Sequence, residues 1–198
     1  RSEVAAAGAD LGIGFDGDGD RIGVIDGKGR QVPGDLLTAF LAKDVAARHP
    51  GAPILLDVKS SEAALRLVES AGAAAQIWKT GHSHMKKRMK ELAAPLAGEM
   101  SGHIFIADDY LGFDDAIYAA VRVITQMVKG GQSVTEFMDS LPEQHATPEL
   151  RIDCADTVKF DSMEKIRAHV LSRHDAADVN SIDGVRVRSG DGWWLIRA

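Results

Sequence analysis

Two short apolar runs, Ile54 to Val58 and Ala75 to Trp78, flank one amphipathic stretch, Glu62 to Ser70, that is closed by Gly72. Strand, helix and strand in turn argue for a parallel βαβ unit. The flanking punctuation agrees. Pro33-Gly34-Asp35 sets up the start of a helix over about Leu36 to Arg48, and Pro50-Gly51-Ala52-Pro53 stops it before the first strand. Upstream, Leu11 to Phe15 and Ile22 to Ile25 read as strands around a tight loop. Downstream, a helix over His84 to Leu92 carries a basic face, and Leu96 to Met100 with Ile104 to Ala107 reads as a hairpin. A long helix then starts at Asp114, runs to about Val128 and ends at Gly130-Gly131, and Ser133 caps a shorter one to Ser140. Pro142 to Pro148 reads as a linker. Beyond it the order is strand (Glu149 to Ala155), helix (Ser162 to Arg173) and two strands (Gly184 to Val187, Trp193 to Arg197), which suits an antiparallel sheet. The expected fold is α/β: a mixed βαβ-type sheet domain with helices on both faces, then a smaller α+β domain.

Charge and composition exclude several functions. Of 198 residues 45% are hydrophobic and 26% charged, ordinary globular values that leave no room for disorder or coiled coil as the main state. Acidic residues outnumber basic ones 29 to 23, so no global positive field exists to hold nucleic acid or an anionic membrane surface. No apolar run approaches the roughly 18 residues of a membrane span. Cys154 is the single cysteine, which rules out an intrachain disulfide and a cysteine zinc cluster and suits a reducing, cytoplasmic compartment. The chain begins at Arg1 and closes on an apolar run, from which an internal piece of a longer polypeptide is expected.

Three loops carry chemistry. Asp16, Asp18 and Asp20 alternate with glycine, so three hard oxygens can converge on Mg²⁺; a solvated acidic turn is the plainer alternative. Arg21, next in sequence, either neutralises these carboxylates or joins the metal in favouring a phosphate dianion. Lys59 follows the first buried strand at the carboxyl end, where open α/β sheets place ligands. Lys79-Thr80-Gly81-His82-Ser83-His84 follows the second strand and gathers an amine, hydroxyls and imidazoles at a helix start, a set suited to binding an anion and moving a proton. Of the two histidines, His82 is the candidate and His84 reads as a surface residue. Gly98-Glu99-Met100-Ser101-Gly102-His103 presents carboxylate, hydroxyl and imidazole on one turn, as adjacent sugar hydroxyls require.

Together, Phe15 to Arg21, Asp57-Val58-Lys59, Lys79 to Ser83 and Gly98 to His103 resemble the α-D-phosphohexomutases, most closely the bacterial phosphomannomutase/phosphoglucomutase branch. The resemblance implies that Asp16, Asp18 and Asp20 hold Mg²⁺ with a phosphoserine and that Arg21 lies by the transferring phosphoryl group. It places Lys59 and His82 at the reacting end of the sugar, with Lys59 a candidate proton acceptor. By the same resemblance Glu99 and Ser101 would take the sugar's 3- and 4-hydroxyls within a loop completed by Met100 and Gly102, His103 would be a neighbouring contact, and Arg197 would bind the non-transferring phosphate of a hexose phosphate. The implied reaction exchanges the 1- and 6-phosphates of glucose or mannose by way of a bisphosphorylated sugar, with glucose 1,6-bisphosphate as activator. It also implies a division into residues 1–33 (end of a second domain), 34–146 (a third, sugar-binding domain) and 147–198 (a truncated fourth).

The family's Thr-x-Ser-His-Asn-Pro nucleophile segment does not occur in the sequence, so the chain by itself is expected to be inactive and to need the N-terminal domains of its polypeptide. Two other readings remain open. A haloacid-dehalogenase-like phosphatase also places Asp-x-Asp-Gly after an apolar strand, though its motif continues with threonine or valine where this chain has Asp20. A non-catalytic sugar-phosphate or metal-binding module is the third reading.

Overall fold

Within the run Ile54-Leu55-Leu56 the side chains alternate between two separate apolar clusters, as strand geometry requires when both faces of a sheet are covered. Ile54 and Leu56 pack with helices α2 (Gly34–Arg48), α3 (Glu62–Ser70) and α5 (Ala116–Gly130), while Leu55 packs with Met85 and Met89 of α4 (His82–Leu92). The computed structural model describes residues 1–190 and 192–198. Strands β4 (Pro53–Asp57), β5 (Ala74–Trp78), β6 (Leu96–Gly98) and β7 (Ile104–Ile106) form a sheet of order β5-β4-β6-β7, parallel except for the antiparallel β6–β7 hairpin. The expected mixed sheet with helices on both faces is the one observed. A second sheet of β1 (Leu11–Phe15), β2 (Ile22–Asp26) and β3 (Gln31–Val32) is antiparallel and follows a short first helix, α1 (Ser2–Ala7).

Local signals explain the helix ends. The Ser61 hydroxyl accepts from Ala64 N–H and starts α3. Asp115 does the same for α5 by accepting from Tyr118 N–H, and Gly131, at φ 63°, ends that helix in the left-handed conformation. Helix α6 (Val134–Asp139) opens on a capping box between Ser133 and Glu136. Helix α2 is buried along most of its length, and its approach to β6 is close: a Cβ added at Gly98 would meet Thr38 Oγ1 at 1.8 Å. The outward side of α5 is apolar, with Ile117, Val121, Ile124 and Val128 exposed by 64, 53, 49 and 77%.

The chain divides into two compact units, Arg1–Leu141 and Pro142–Ala198. In the second, α7 (Lys159–Leu171) packs Val170 against Val185 and Val187 of an antiparallel sheet. That sheet is formed by β8 (Val179–Asn180), β9 (Val185–Ser189) and β10 (Gly192–Ile196) in the order β10-β9-β8. The strand expected over Glu149 to Ala155 is absent: these residues have no regular structure, and Leu150 and Ile152 are 77 and 88% exposed. Among the described residues no strand pairs with this apolar–polar alternation, and a pattern without a partner does not make a strand.

Candidate functional site

Three loops leave the carboxyl ends of β4, β5 and β6, and one buried side chain ties them together. Asp57, the last residue of β4, is fully buried. Its Oδ1 accepts from Ser60 Oγ at 2.8 Å and Met100 N–H at 3.2 Å, and its Oδ2 accepts from Thr80 Oγ1 at 3.0 Å. A carboxylate can take all three because it offers about four lone-pair directions. Asp35, also buried, ties the start of α2 to the same edge by accepting from Ser61 N–H at 2.8 Å. The sequence placed Asp35 only in a helix-start signal and Asp57 only in the Asp57-Val58-Lys59 segment of the resemblance; neither was read as tying the loops together, and the cap of α2 falls at Pro33 rather than at Asp35. The signal for Asp57 was its place at the end of an otherwise apolar strand, where an unpaired charge is costly.

Glu99 is 2% exposed, and its carboxylate joins two of the candidate loops. Oε1 accepts from Gly81 N–H at 2.7 Å, and Oε2 accepts from Ser101 Oγ at 3.2 Å. With its one proton so used, the Ser101 hydroxyl is left to accept from His103 Nδ1, 2.8 Å away. That arrangement puts the imidazole proton on Nδ1, which is also 3.2 Å from Glu99 Oε2. Met100 is half-buried, and Gly102, buried at φ +95°, has room for no side chain because a Cβ would lie 2.5 Å from Ile22 carbonyl oxygen. Lys59 is half-buried at the same edge.

His82 begins α4, two residues earlier than the expected His84. It is 56% exposed at the side chain, and its ring stacks over that of His103 with centroids 6.3 Å apart. Beneath it, Lys86 Nζ lies 3.2 Å from His82 Nδ1 and 2.9 Å from Asp114 Oδ1. His84 is exposed, as a surface residue.

The acidic loop between β1 and β2 reaches this edge. Asp16, Asp18 and Asp20 each bring one oxygen within 4.8 Å of the other two. Arg21 closes the loop on Asp16, donating from its backbone N–H to Oδ1 at 3.1 Å and from Nε to Oδ2 at 2.5 Å. Desolvation pushes the Asp16 carboxyl up, but these hydrogen bonds outweigh it and hold the pKa at about 2. Arg21 pairs with His103 as an isolated antiparallel bridge, and Ile22 N–H donates to Gly102 carbonyl at 3.1 Å. His103 Nε2 then lies 3.4 Å from Asp20 Oδ2. The first unit thus brings together Asp16, Asp18, Asp20, Arg21, His82, Glu99, Ser101 and His103. Arg197 belongs to the second unit, where its guanidinium pairs with Asp183 at 3.0 Å.

Fold and site define a three-layered α/β domain with its candidate loops at the carboxyl edge of the parallel strands, joined there by an acidic loop from a neighbouring sheet. Residues 33–145 match the family described as phosphoglucomutase/phosphomannomutase, alpha/beta/alpha domain III, and the chain belongs to that family. It is 44% identical over 197 residues to a phosphomannomutase/phosphoglucomutase of Pseudomonas putida, covering all of this chain and 42% of that protein. The crystal structure of a phosphoglucomutase/phosphomannomutase family protein from Burkholderia thailandensis superposes with a TM-score of 0.89 at 37% identity, covering all of this chain and 41% of the other. A more distant fold match, at TM-score 0.56 and 17% identity, is Aspergillus fumigatus N-acetylphosphoglucosamine mutase in complex with GlcNAc-6P and magnesium; it covers 66% of this chain and 32% of that one. The chain spans about two fifths of the length of the curated relatives it matches.

Proposed function

We propose that this chain supplies the sugar-binding and metal-binding parts of a phosphohexomutase that interconverts the 1- and 6-phosphates of glucose or mannose. The carrying observation is the meeting of the acidic loop with the Glu99 to His103 turn through the Arg21–His103 bridge. Anion-binding, hydroxyl-binding and metal-binding groups then share one edge.

In this reading the hexose phosphate lies over that edge. Ser101 Oγ and Glu99 Oε2, bonded to each other at 3.2 Å, exchange that bond for the sugar's 3- and 4-hydroxyls. Lys59 and His82 face the reacting hydroxyl, Lys59 as proton acceptor, while Met100, Gly102 and His103 shape the pocket. Arg197 takes the non-transferring phosphate. Asp16, Asp18 and Asp20 form an all-oxygen set that suits Mg²⁺, which would supply charge neutralisation to the transferring phosphoryl group. Arg21, fixed by Asp16, adds a directed cation beside it. The phosphoryl group passes by way of a phosphoserine and a bisphosphorylated sugar such as glucose 1,6-bisphosphate. In this reading the serine is supplied from outside these 198 residues. Residues 1–33, 34–146 and 147–198 correspond to the end of a second domain, a third and part of a fourth. A single exposed cysteine and the acidic surface suit work in the cytoplasm.

A coupled mutase assay on glucose 1-phosphate with Mg²⁺ and glucose 1,6-bisphosphate, paired with NMR titration of the same sugar phosphate, tests this reading. Perturbed amides at Gly81, Met100 and Ser101 without turnover are expected. No perturbation there, or turnover by these 198 residues alone, overturns it.

A further inference from the structure

Two atoms able to ligate a metal, His103 Nε2 and Asp20 Oδ2, face each other at the centre of this edge. With Nδ1 of His103 donating to Ser101 and Glu99, the neutral ring presents its Nε2 lone pair to Asp20 Oδ2, 3.4 Å away. A lone pair and a carboxylate oxygen repel unless a cation lies between them. A third group adds to the demand. The Asp114 side chain is 7% exposed, and its Oδ2 is enclosed without any hydrogen-bond donor. Its neighbours do not meet that need: Lys86 is bound to the other oxygen at 2.9 Å, and His82 Nδ1 stands 3.6 Å from Oδ2. A buried carboxylate oxygen left in this state costs free energy that a bound cation removes.

We propose that Asp20, His103 and Asp114 form a second divalent-cation site, taking a borderline ion such as Zn²⁺ or Co²⁺ in preference to Mg²⁺. Their ligand atoms lie within 4.8 Å of one another. The set is one imidazole nitrogen and two carboxylate oxygens, which suits transition ions, whereas the all-oxygen group of Asp16, Asp18 and Asp20 suits Mg²⁺. Glu99 and Ser101 behind Nδ1 complete the pattern seen at metal-binding histidines, in which the distal N–H is held by a carboxylate or hydroxyl so that the ring is fixed and more basic. Lys86, 36% exposed at its side chain, can swing to water as the ion replaces its charge beside Asp114. Asp20 is common to both groups, so the two ions compete for one carboxylate. The site rests on these contacts and holds whether or not the chain serves a mutase.

The test is a Co²⁺ titration of the 198-residue chain, followed by visible absorption and by hyperfine-shifted imidazole signals in proton NMR, with far-UV circular dichroism on every variant. Expected is a bound Co²⁺ whose shifted imidazole N–H signal vanishes in His103→Gln. Its affinity falls at least about tenfold in Asp114→Asn, the scale of losing even an outer-shell partner. In Asp18→Asn, which alters only the acidic loop, it is unchanged. Wild-type titration by a folded His103→Gln or Asp114→Asn chain overturns the proposal, and so does loss of binding in Asp18→Asn. If Asp114→Asn does not fold, His103→Gln decides alone.

Discussion

Arg21 and His103 are bridge partners: the residue that closes the acidic loop and the last residue of the Glu99 to His103 turn hold each other in register across two sheets. Gly102 makes the approach possible. Gly102→Ala brings a Cβ to 2.5 Å from Ile22 carbonyl oxygen at a φ of +95°. The expected loss is about 1–3 kcal/mol in a urea titration, with weaker Mg²⁺ binding as the two loops part. An unchanged denaturation midpoint counts against a tight bridge.

Gly98 is constrained by a side chain, and relief is therefore available. Gly98→Ala is expected to cost about 1–3 kcal/mol because the new Cβ meets Thr38 Oγ1 at 1.8 Å. Thr38→Ala in the same chain removes Oγ1 and Cγ2 and should return part of that loss. A double-mutant cycle by chemical denaturation reads the coupling, and purely additive effects contradict it.

Asp57→Ala removes the acceptor shared by Ser60, Thr80 and Met100. A loss of roughly 2–4 kcal/mol is expected, above that of an ordinary deleted hydrogen bond because three bonds to one buried carboxylate go at once. Amide exchange should quicken around Thr80 and Met100 more than in α5. Uniform exchange changes across the unit would mean that Asp57 serves general stability only.

Asp18→Asn should weaken Mg²⁺ binding in calorimetry, since it removes one of three convergent carboxylates. Equal affinity in the variant would show that Mg²⁺ is held elsewhere.

Acid stability should depend on Asp108, whose side chain is 2% exposed and pairs with His49 at 2.8 Å, Arg122 at 3.0 Å and Arg48. Burial pushes this carboxyl up, but the hydrogen bonds from His49 and Arg122 and the nearby Arg48 charge hold it below its ordinary value. A carboxyl depressed by folding gives its full stabilisation above the unfolded value and loses it as pH falls through the folded one. Asp108→Asn should therefore lower stability at neutral pH, by about 1–3 kcal/mol given the water access of Arg48 and His49, and flatten the loss below pH 4. Parallel acid limbs for the two proteins would refute this.

Regular structure was legible wherever a pattern and a local stop signal coincided. The limits of α3 match the reading from Glu62 to Ser70, and Gly130-Gly131 ends α5 as read. The run Glu149 to Ala155 had the pattern without a partner, a tertiary fact no local rule carries. The short α1, held at Gly8 in the left-handed conformation, carried too few residues to show a period. At the site, the acidic triad was visible because its three carboxylates are close in sequence. Asp57, Asp35 and Asp114 act through partners from 26 to 43 positions beyond or before them where no spacing rule applies, as the Asp57–Met100 bond shows.

The outward side of α5 sets how the chain behaves as a colloid. A net charge of -6 keeps copies apart through long-range repulsion, yet Ile117, Val121, Ile124 and Val128 present branched hydrocarbon to water on one helix. Salt shortens the repulsion to about 8 Å at physiological ionic strength and leaves the short-range hydrocarbon attraction intact. Kosmotropic salts strengthen that attraction. The chain is accordingly expected to be most disperse in dilute buffer and to associate through this face as salt rises.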